Sequence, residues 1–239
     1  MKKIVITLAI VGVASVICVA IAYVRPMRQH VQTTPEYGSL KWRIQQAKQK
    51  GEQQLQIASI ICYGSEFRNP QEALKEALSY FAVIVAEPIE KKIYADSDTI
   101  YSWYRFRVVE TITPKPMEEC PSCINPGDPP SDMLPLNRDE ILIPQGGGAM
   151  VIDDFYVVDT SSKPYSLAQK YLIFLRPDFT KGTGVITLGP VGVFTIDNEG
   201  MMESITTEEN SLKNYILKNY CNSLDRLKAG IHQQLNAQQ

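Results

Sequence analysis

The sequence has only two histidines in 239 residues, His30 and His232. Neither lies within residues 31–231, so a Ser–His–Asp triad, a Cys–His pair or a His-rich zinc site has no histidine there. No lysine or pair of carboxylates stands out as an alternative catalytic group. The sequence therefore predicts a protein that is not an enzyme, with no catalytic residues, no metal site and no cofactor.

Basic charge and cysteine are also scarce. Lys and Arg number 24 against 26 Asp and Glu, which gives a net charge of −2 and no basic footprint of the kind that nucleic-acid-binding proteins show. The chain has five cysteines, fewer than a disulfide-dense secreted scaffold uses. Nucleic acid is therefore not expected as a partner.

The most definite feature that is present is a long apolar run at the start. Lys2 and Lys3 precede 21 uncharged, mainly apolar residues (4–24), and Arg25 follows at once. This length is enough to cross a bilayer as a helix. Ala20-Ile-Ala22 also offers an Ala-x-Ala cleavage signal. We expect residues 1–24 to be a membrane anchor, or a signal peptide cleaved near Ala22, and the remainder to be extracytoplasmic: anchored in the first case, secreted in the second.

The rest of the chain divides into a linker and one domain. Residues 25–57 predict a tether and a polar stalk helix over 40–55, which we expect to be solvated because its apolar stripe is weak. Residues 58–235 predict a single domain. A proline-rich insertion at 114–139, which contains two of the cysteines, interrupts that domain.

Short apolar runs bounded by Gly, Pro and Asn predict that this domain is mainly β. Strands are expected at 81–86, 99–113, 141–143, 149–152, 171–175, 185–188 and 191–196. The third and fourth are expected to pair around a turn at Gln145-Gly-Gly-Gly148, and the last three to form a meander. One helix is expected after Asn69-Pro70, and a single C-terminal helix is expected to follow a capping box at Thr206 and Glu209. The apolar stripe of that C-terminal helix is expected at Leu212, Ile216, Tyr220, Leu224, Leu227 and Ile231.

One face of the strand at 99–113 is a candidate binding surface. Trp103, Arg105 and Arg107 lie on that face, and aromatic and basic side chains together suit the stacking of bases. The alternative is a surface covered by the long insertion or by the C-terminal helix. The acidic chain and the export signal favour the covered surface.

The cysteines outside the apolar run are Cys62, Cys120, Cys123 and Cys221. Cys120-Pro-Ser-Cys123 has the spacing of a redox pair or half of a zinc site, but prolines follow it, so no helix begins there to lower a thiol pKa. A structural staple is the favoured interpretation of this pair. Cys62 and Cys221 are then left either to bond to each other, closing a loop of about 160 residues, or to stay buried and unpaired.

The order of these parts resembles the netrin-like module, the OB-fold type of barrel found in tissue inhibitors of metalloproteinases and in many exported bacterial proteins. The segments that carry the resemblance are Cys62, Pro70-Gln-Glu-Ala-Leu74, Ala82–Ala86, Tyr104–Val108, Lys170–Leu175 and Gly192–Asp197. The resemblance implies a small closed barrel with a short helix after its first cysteine and a C-terminal helix. It also implies a disulfide from the segment before the first helix to a later part of the barrel.

The sequence therefore predicts a non-catalytic, exported and membrane-tethered binding module with a protein partner. Membrane contact is expected through residues 4–24. One alternative is an inhibitor of secreted metalloproteases or other proteases, acting through the Cys62 edge or the loop at 114–139. A further alternative is a thiol-disulfide protein that uses Cys120 and Cys123.

Overall fold

The computed structural model describes residues 36–57, 72–113, 128–178, 182–185, 189–207 and 209–237. Within these ranges the protein is mainly β, as predicted, with ten strands and four α-helices. The strands are β1 Gln54–Ile57, β2 Ala82–Ala95, β3 Ile100–Thr113, β4 Glu140–Gly146, β5 Gly148–Ile152, β6 Phe155–Asp159, β7 Lys170–Asp178, β8 Thr183–Val185, β9 Val193–Ile196 and β10 Met202–Ser204. The helices are α1 Leu40–Gln49, α2 Ala73–Tyr80, α3 Ser211–Asn219 and α4 Leu224–Asn236.

Seven strands form the larger sheet, in the order β10-β9-β7-β2-β3-β4-β8. β8 pairs a second time, with Arg176–Asp178 of β7, while its contact with β4 is the single register pair Leu142↔Thr183. One pair does not make a ladder. The structure thus shows a large sheet with an extra strand contact, where the sequence predicted a closed barrel.

The long strands β2 and β3 form the centre of this sheet. β3 matches its prediction closely, but β2 continues to Ala95 and does not end at Glu87-Pro88 as the sequence suggested. A shift of register between Pro88 and Glu90 explains the difference. Proline has no N–H to give to a ladder, and an irregularity in the pairing lets the strand continue past it.

Helices α2, α3 and α4 cover one face of the large sheet. Their buried apolar residues share a cluster with Val83, Val85, Leu172 and Phe194 of the strands. The predicted stripe is buried at five of its six positions, which are Leu212, Ile216, Leu224, Leu227 and Ile231. The single C-terminal helix is nevertheless wrong, because Cys221 and Asn222 take positive φ and Ser223 caps a second helix.

A three-stranded sheet, in the order β1-β6-β5, packs against α1. Leu40, Ile44 and Ala47 of that helix are buried in a cluster that includes Phe155 and Val157. The predicted stalk helix is therefore wrong in two respects: it ends at Gln49, and its weak apolar stripe is buried against a sheet and not solvated. Three aligned apolar positions suffice for docking when a neighbouring surface is apolar.

Residues 145–148 carry the chain from the large sheet to the small one. β4 pairs with β3 and β5 pairs with β6, so the predicted pairing of these two strands with each other is wrong. Gly147 has a φ of +95°, and a Cβ there would stand 2.9 Å from the carbonyl oxygen of Asp159. The Ser102 hydroxyl donates to the Gly147 carbonyl at 2.7 Å, which fixes the change of direction.

Several predictions concern residues outside the described ranges. They are the apolar run at 4–24, the tether at 25–35, Cys62, the helix start at Asn69-Pro70, Cys120, Cys123, the first part of the insertion, 114–127, and residues 186–188 of the predicted strand at 185–188. Among the residues that are described, no helix has the length and apolar character needed to cross a membrane. Residues Glu36–Gln239 form one compact unit.

Candidate binding cleft

The predicted binding face on β3 is mostly covered by the end of the insertion. Trp103 is only 3 % exposed and packs with Met133 and Leu142. Arg105 donates to the carbonyl oxygens of Met133 at 2.7 Å and Pro135 at 3.2 Å, whereas Arg107 is exposed. The surface thus matches the covered alternative, with a segment of the chain itself lying on Trp103 and Arg105.

Arg105 is the centre of a shielded charge network. It binds Glu90 at 2.8 Å and Glu140 at 3.0 Å, and the Glu140 side chain is only 7 % exposed. Glu140 also accepts hydrogen bonds from the backbone N–H of Asn137 at 2.9 Å and from its side-chain amide at 2.6 Å. The Asn137 backbone hydrogen bond is the main reason that the pKa of Glu140 is lowered, with the Asn137 amide and Arg105 adding to it against desolvation.

This network fixes the turn at 137–140, which is one wall of a cleft of about 630 Å³. The opposite wall is the end of β3. Pairing between β3 and β4 stops at Arg107↔Glu140, so among the described residues the stretch 108–113 has a strand neighbour only in β2. The cleft occupies the space that a longer β4 would fill.

The floor of the cleft is apolar and the rim is polar. Buried side chains of four residues make the floor: Ala82, Ile84, Ile141 and Leu175. At the mouth, Val109 is 51 % exposed. It is the extra residue between Val108 and Glu110, which are paired to consecutive residues of β2, and a bulge of this kind turns a side chain out of the regular strand pattern.

Charged side chains line the rim of the cleft. Among the described residues of the lining, Glu110, Asp139 and Glu140 are acidic and Arg138 is basic. Glu140 is paired with Arg105, and Lys228 of α4 donates to Glu110 at 2.5 Å, which ties the helical layer to the rim. An apolar floor with a few polar groups around it is the usual form of a binding site. The arrangement suits an apolar group.

The remaining predicted site residues lie away from the cleft or outside the described ranges. Cys221 is exposed in the turn between α3 and α4, with a φ of +50°, so it neither lies within a single C-terminal helix nor is buried as the second alternative predicted. His232 is exposed on α4. Within the described ranges no three His, Cys, Asp or Glu side chains gather as metal ligands would.

The cleft was not predicted from the sequence, although one signal for it was present. The strand predicted at 99–113 has 15 residues and the strand predicted at 141–143 has three, and strands of such different length cannot pair throughout. The mismatch alone indicates an uncovered stretch near residue 110. The segments that form the walls of the cleft cannot be predicted in this way, because they are set by tertiary contacts of Leu175 and Gly182 that no local pattern shows.

No protein-family model matches the chain, and no curated protein is similar to it at a significant level. The resemblance to netrin-like modules thus depends on the segments quoted above. The cleft, in turn, is defined by its own geometry.

Proposed function

We propose that this protein is a non-catalytic binding module, exported and held at the membrane by residues 4–24, and that its cleft takes an apolar side chain of a partner protein. The observation that carries the proposal is an apolar floor that none of the described residues covers where β3 outruns β4. A cleft of about 630 Å³ is within the range of specific binding sites, roughly 300–1,000 Å³.

The form of the cleft favours a protein segment over a small anion or a nucleic acid. Its floor is apolar, and Arg105 and Lys228 beside its rim are already paired with Glu140 and Glu110 rather than available to a phosphate group. Interfaces draw most of their binding energy from a few apolar side chains seated in desolvated pockets, with polar groups around them that exclude water. Val109 and the buried floor supply the pocket, and Glu110, Arg138 and Asp139 supply the polar surround.

We also propose that the strands around this cleft form a small OB-type barrel related to netrin-like modules. The circuit of pairings from β7 through β2, β3, β4 and β8 back to β7 supports it. So does the cluster of Tyr104, Phe106, Ile143 and Ile173, which lies on the face opposite the helices. Placing the cleft at one end of such a barrel agrees with where ligands bind in barrels of this size.

A matched pair of variants tests the binding site. Val109 in β3 and Val151 in β5 are both exposed strand valines, at 51 % and 62 %, and only Val109 lines the cleft. We expect Val109→Asp to lose partner binding at least about tenfold, since a charge is forced into an apolar contact, and Val151→Asp to bind as the wild type does. The measurement is quantitative affinity capture of the full-length protein from its native membrane fraction.

Capture at the wild-type level by both variants would place the partner elsewhere on the molecule. Loss in both variants would show that the effect of Val109→Asp is not specific to the cleft, provided that both retain the wild-type unfolding temperature. Both results contradict the proposed site.

A further inference from the structure

The start of the compact unit carries an aromatic pair of which one ring is exposed. Tyr37 is 84 % exposed, and its ring lies 4.6 Å, centroid to centroid, from the ring of the half-buried Trp42. Trp42 is about 200° around α1 from Leu40 at 100° per residue, which puts it opposite the buried stripe of that helix. Trp42 therefore lies on the side of the helix away from the core and packs against the exposed Tyr37.

Basic charge is concentrated in the same part of the chain. Residues 25–50 hold six Lys or Arg and one acidic residue, whereas residues 51–239 hold 16 Lys or Arg against 25 Asp or Glu. Arg43 and Lys48 donate to the carbonyl oxygens of Asp98 and Asp153, while Lys41 and Lys50 are exposed. A net acidic protein thus presents a basic segment next to this aromatic pair.

We infer that Tyr37, Lys41 and Trp42 form a surface that lies in the headgroup region of an anionic bilayer. Tyr and Trp are favoured at the membrane interface because each combines an apolar ring with a polar group. Basic residues there are attracted by anionic lipid. The inference rests on the membrane anchoring of the proposed function, and it is independent of the cleft.

The length of the intervening chain fits this placement. Twelve residues separate Val24 from Tyr37, and a chain of that length spans at most about 43 Å when fully extended. If residues 4–24 cross the bilayer, the aromatic pair thus lies within about 43 Å of the end of that segment, so contact with the headgroups is within its reach. The surface would hold the domain against the membrane in one orientation, where a tether alone would leave it free to turn.

The two tryptophans of the chain allow a direct test. Trp103 is buried at 3 % exposure and serves as an internal reference, whereas Trp42 belongs to the proposed surface. The full-length protein is reconstituted into phosphatidylglycerol and phosphatidylcholine vesicles that contain brominated lipid, which quenches nearby tryptophan. We expect clear quenching in the wild type and at least about a threefold smaller effect in Trp42→Phe, because the remaining Trp103 is shielded by the core.

Charge is tested with Lys41→Gln and with vesicles of zwitterionic lipid alone. Each basic residue near an anionic surface contributes about 1 kcal/mol to membrane binding. The equilibrium constant for contact between this surface and the bilayer should therefore be about fivefold lower in Lys41→Gln than in the wild type. Equal quenching in the wild type and in Trp42→Phe would overturn the inference even if the protein floats with the vesicles. A protein that does not float would overturn both this surface and the anchor, while partner capture at the cleft would remain a separate result.

Discussion

At the scale of single residues, the Arg105–Glu140 pair has the most consequences. It holds the turn at 137–140 against β3, and through Met133 and Pro135 it holds the segment that covers Trp103. Both side chains are largely shielded from water, so removing one partner leaves a poorly solvated charge. The wall of the cleft therefore depends on one ion pair.

We predict that Glu140→Gln lowers the free energy of unfolding by about 2 kcal/mol at neutral pH, less than for a fully buried pair because Glu90 still neutralises Arg105. The pKa of Glu140 is lowered from its ordinary 4.5. Its contribution is thus fully present above pH 4.5 and is lost as the pH falls through the lower folded-state value. Denaturant unfolding of both proteins across pH should show their difference shrinking in acid.

Asp139→Asn is the control for that series, since Asp139 is the exposed neighbour of Glu140. It should change stability by less than about 0.5 kcal/mol. A Glu140→Gln protein as stable as the wild type, or a difference that grows in acid, would contradict this role for the pair.

At the scale of secondary-structure elements, the crossover at Gly147 decides which sheet each strand joins. The strands β4 and β5 are adjacent in sequence, yet they pair in different sheets because the chain turns away at a positive φ. The backbone at Gly147 also approaches Asp159 of β6 too closely for any side chain. This glycine therefore links the small sheet, and α1 with it, to the large one.

We predict that Gly147→Ala destabilises the protein by about 3 kcal/mol, because it adds a backbone overlap to the cost of the left-handed conformation. Gly200 is the matched control: its φ is +77°, and a Cβ there meets nothing within 4 Å. Gly200→Ala should cost only about 1 kcal/mol. Thermal unfolding of both variants measures the difference, and equal losses would show that the overlap at Gly147 has no effect.

The positions of strands and helices could be predicted from local sequence patterns, as with β3 and the apolar stripe from Leu212 to Ile231. The pairing of the strands could not be predicted in this way, because the sheet that a strand joins depends on the direction of the chain at Gly147. The burial of α1 and the walls of the cleft were missed for a related reason, since both are contacts between segments far apart in sequence.

At the scale of the whole molecule, two surfaces are arranged for different contacts. The aromatic and basic surface at Tyr37 and Trp42 begins twelve residues after the apolar run, and the cleft near Val109 has an apolar floor. One surface suits an anionic bilayer and the other an apolar side chain of a partner protein. The proposed module would thus be oriented by the membrane while it offers its cleft to a partner.

The most direct measurement of the central claim is site-specific photocross-linking from the mouth of the cleft. A photoreactive phenylalanine derivative replaces Val109 in one full-length protein and the similarly exposed Val151 in another. The account predicts a defined cross-linked partner from position 109 and none from position 151, and peptide mapping should place the bond beside an apolar residue of the partner. A partner cross-linked from position 151 and absent from position 109 would contradict it.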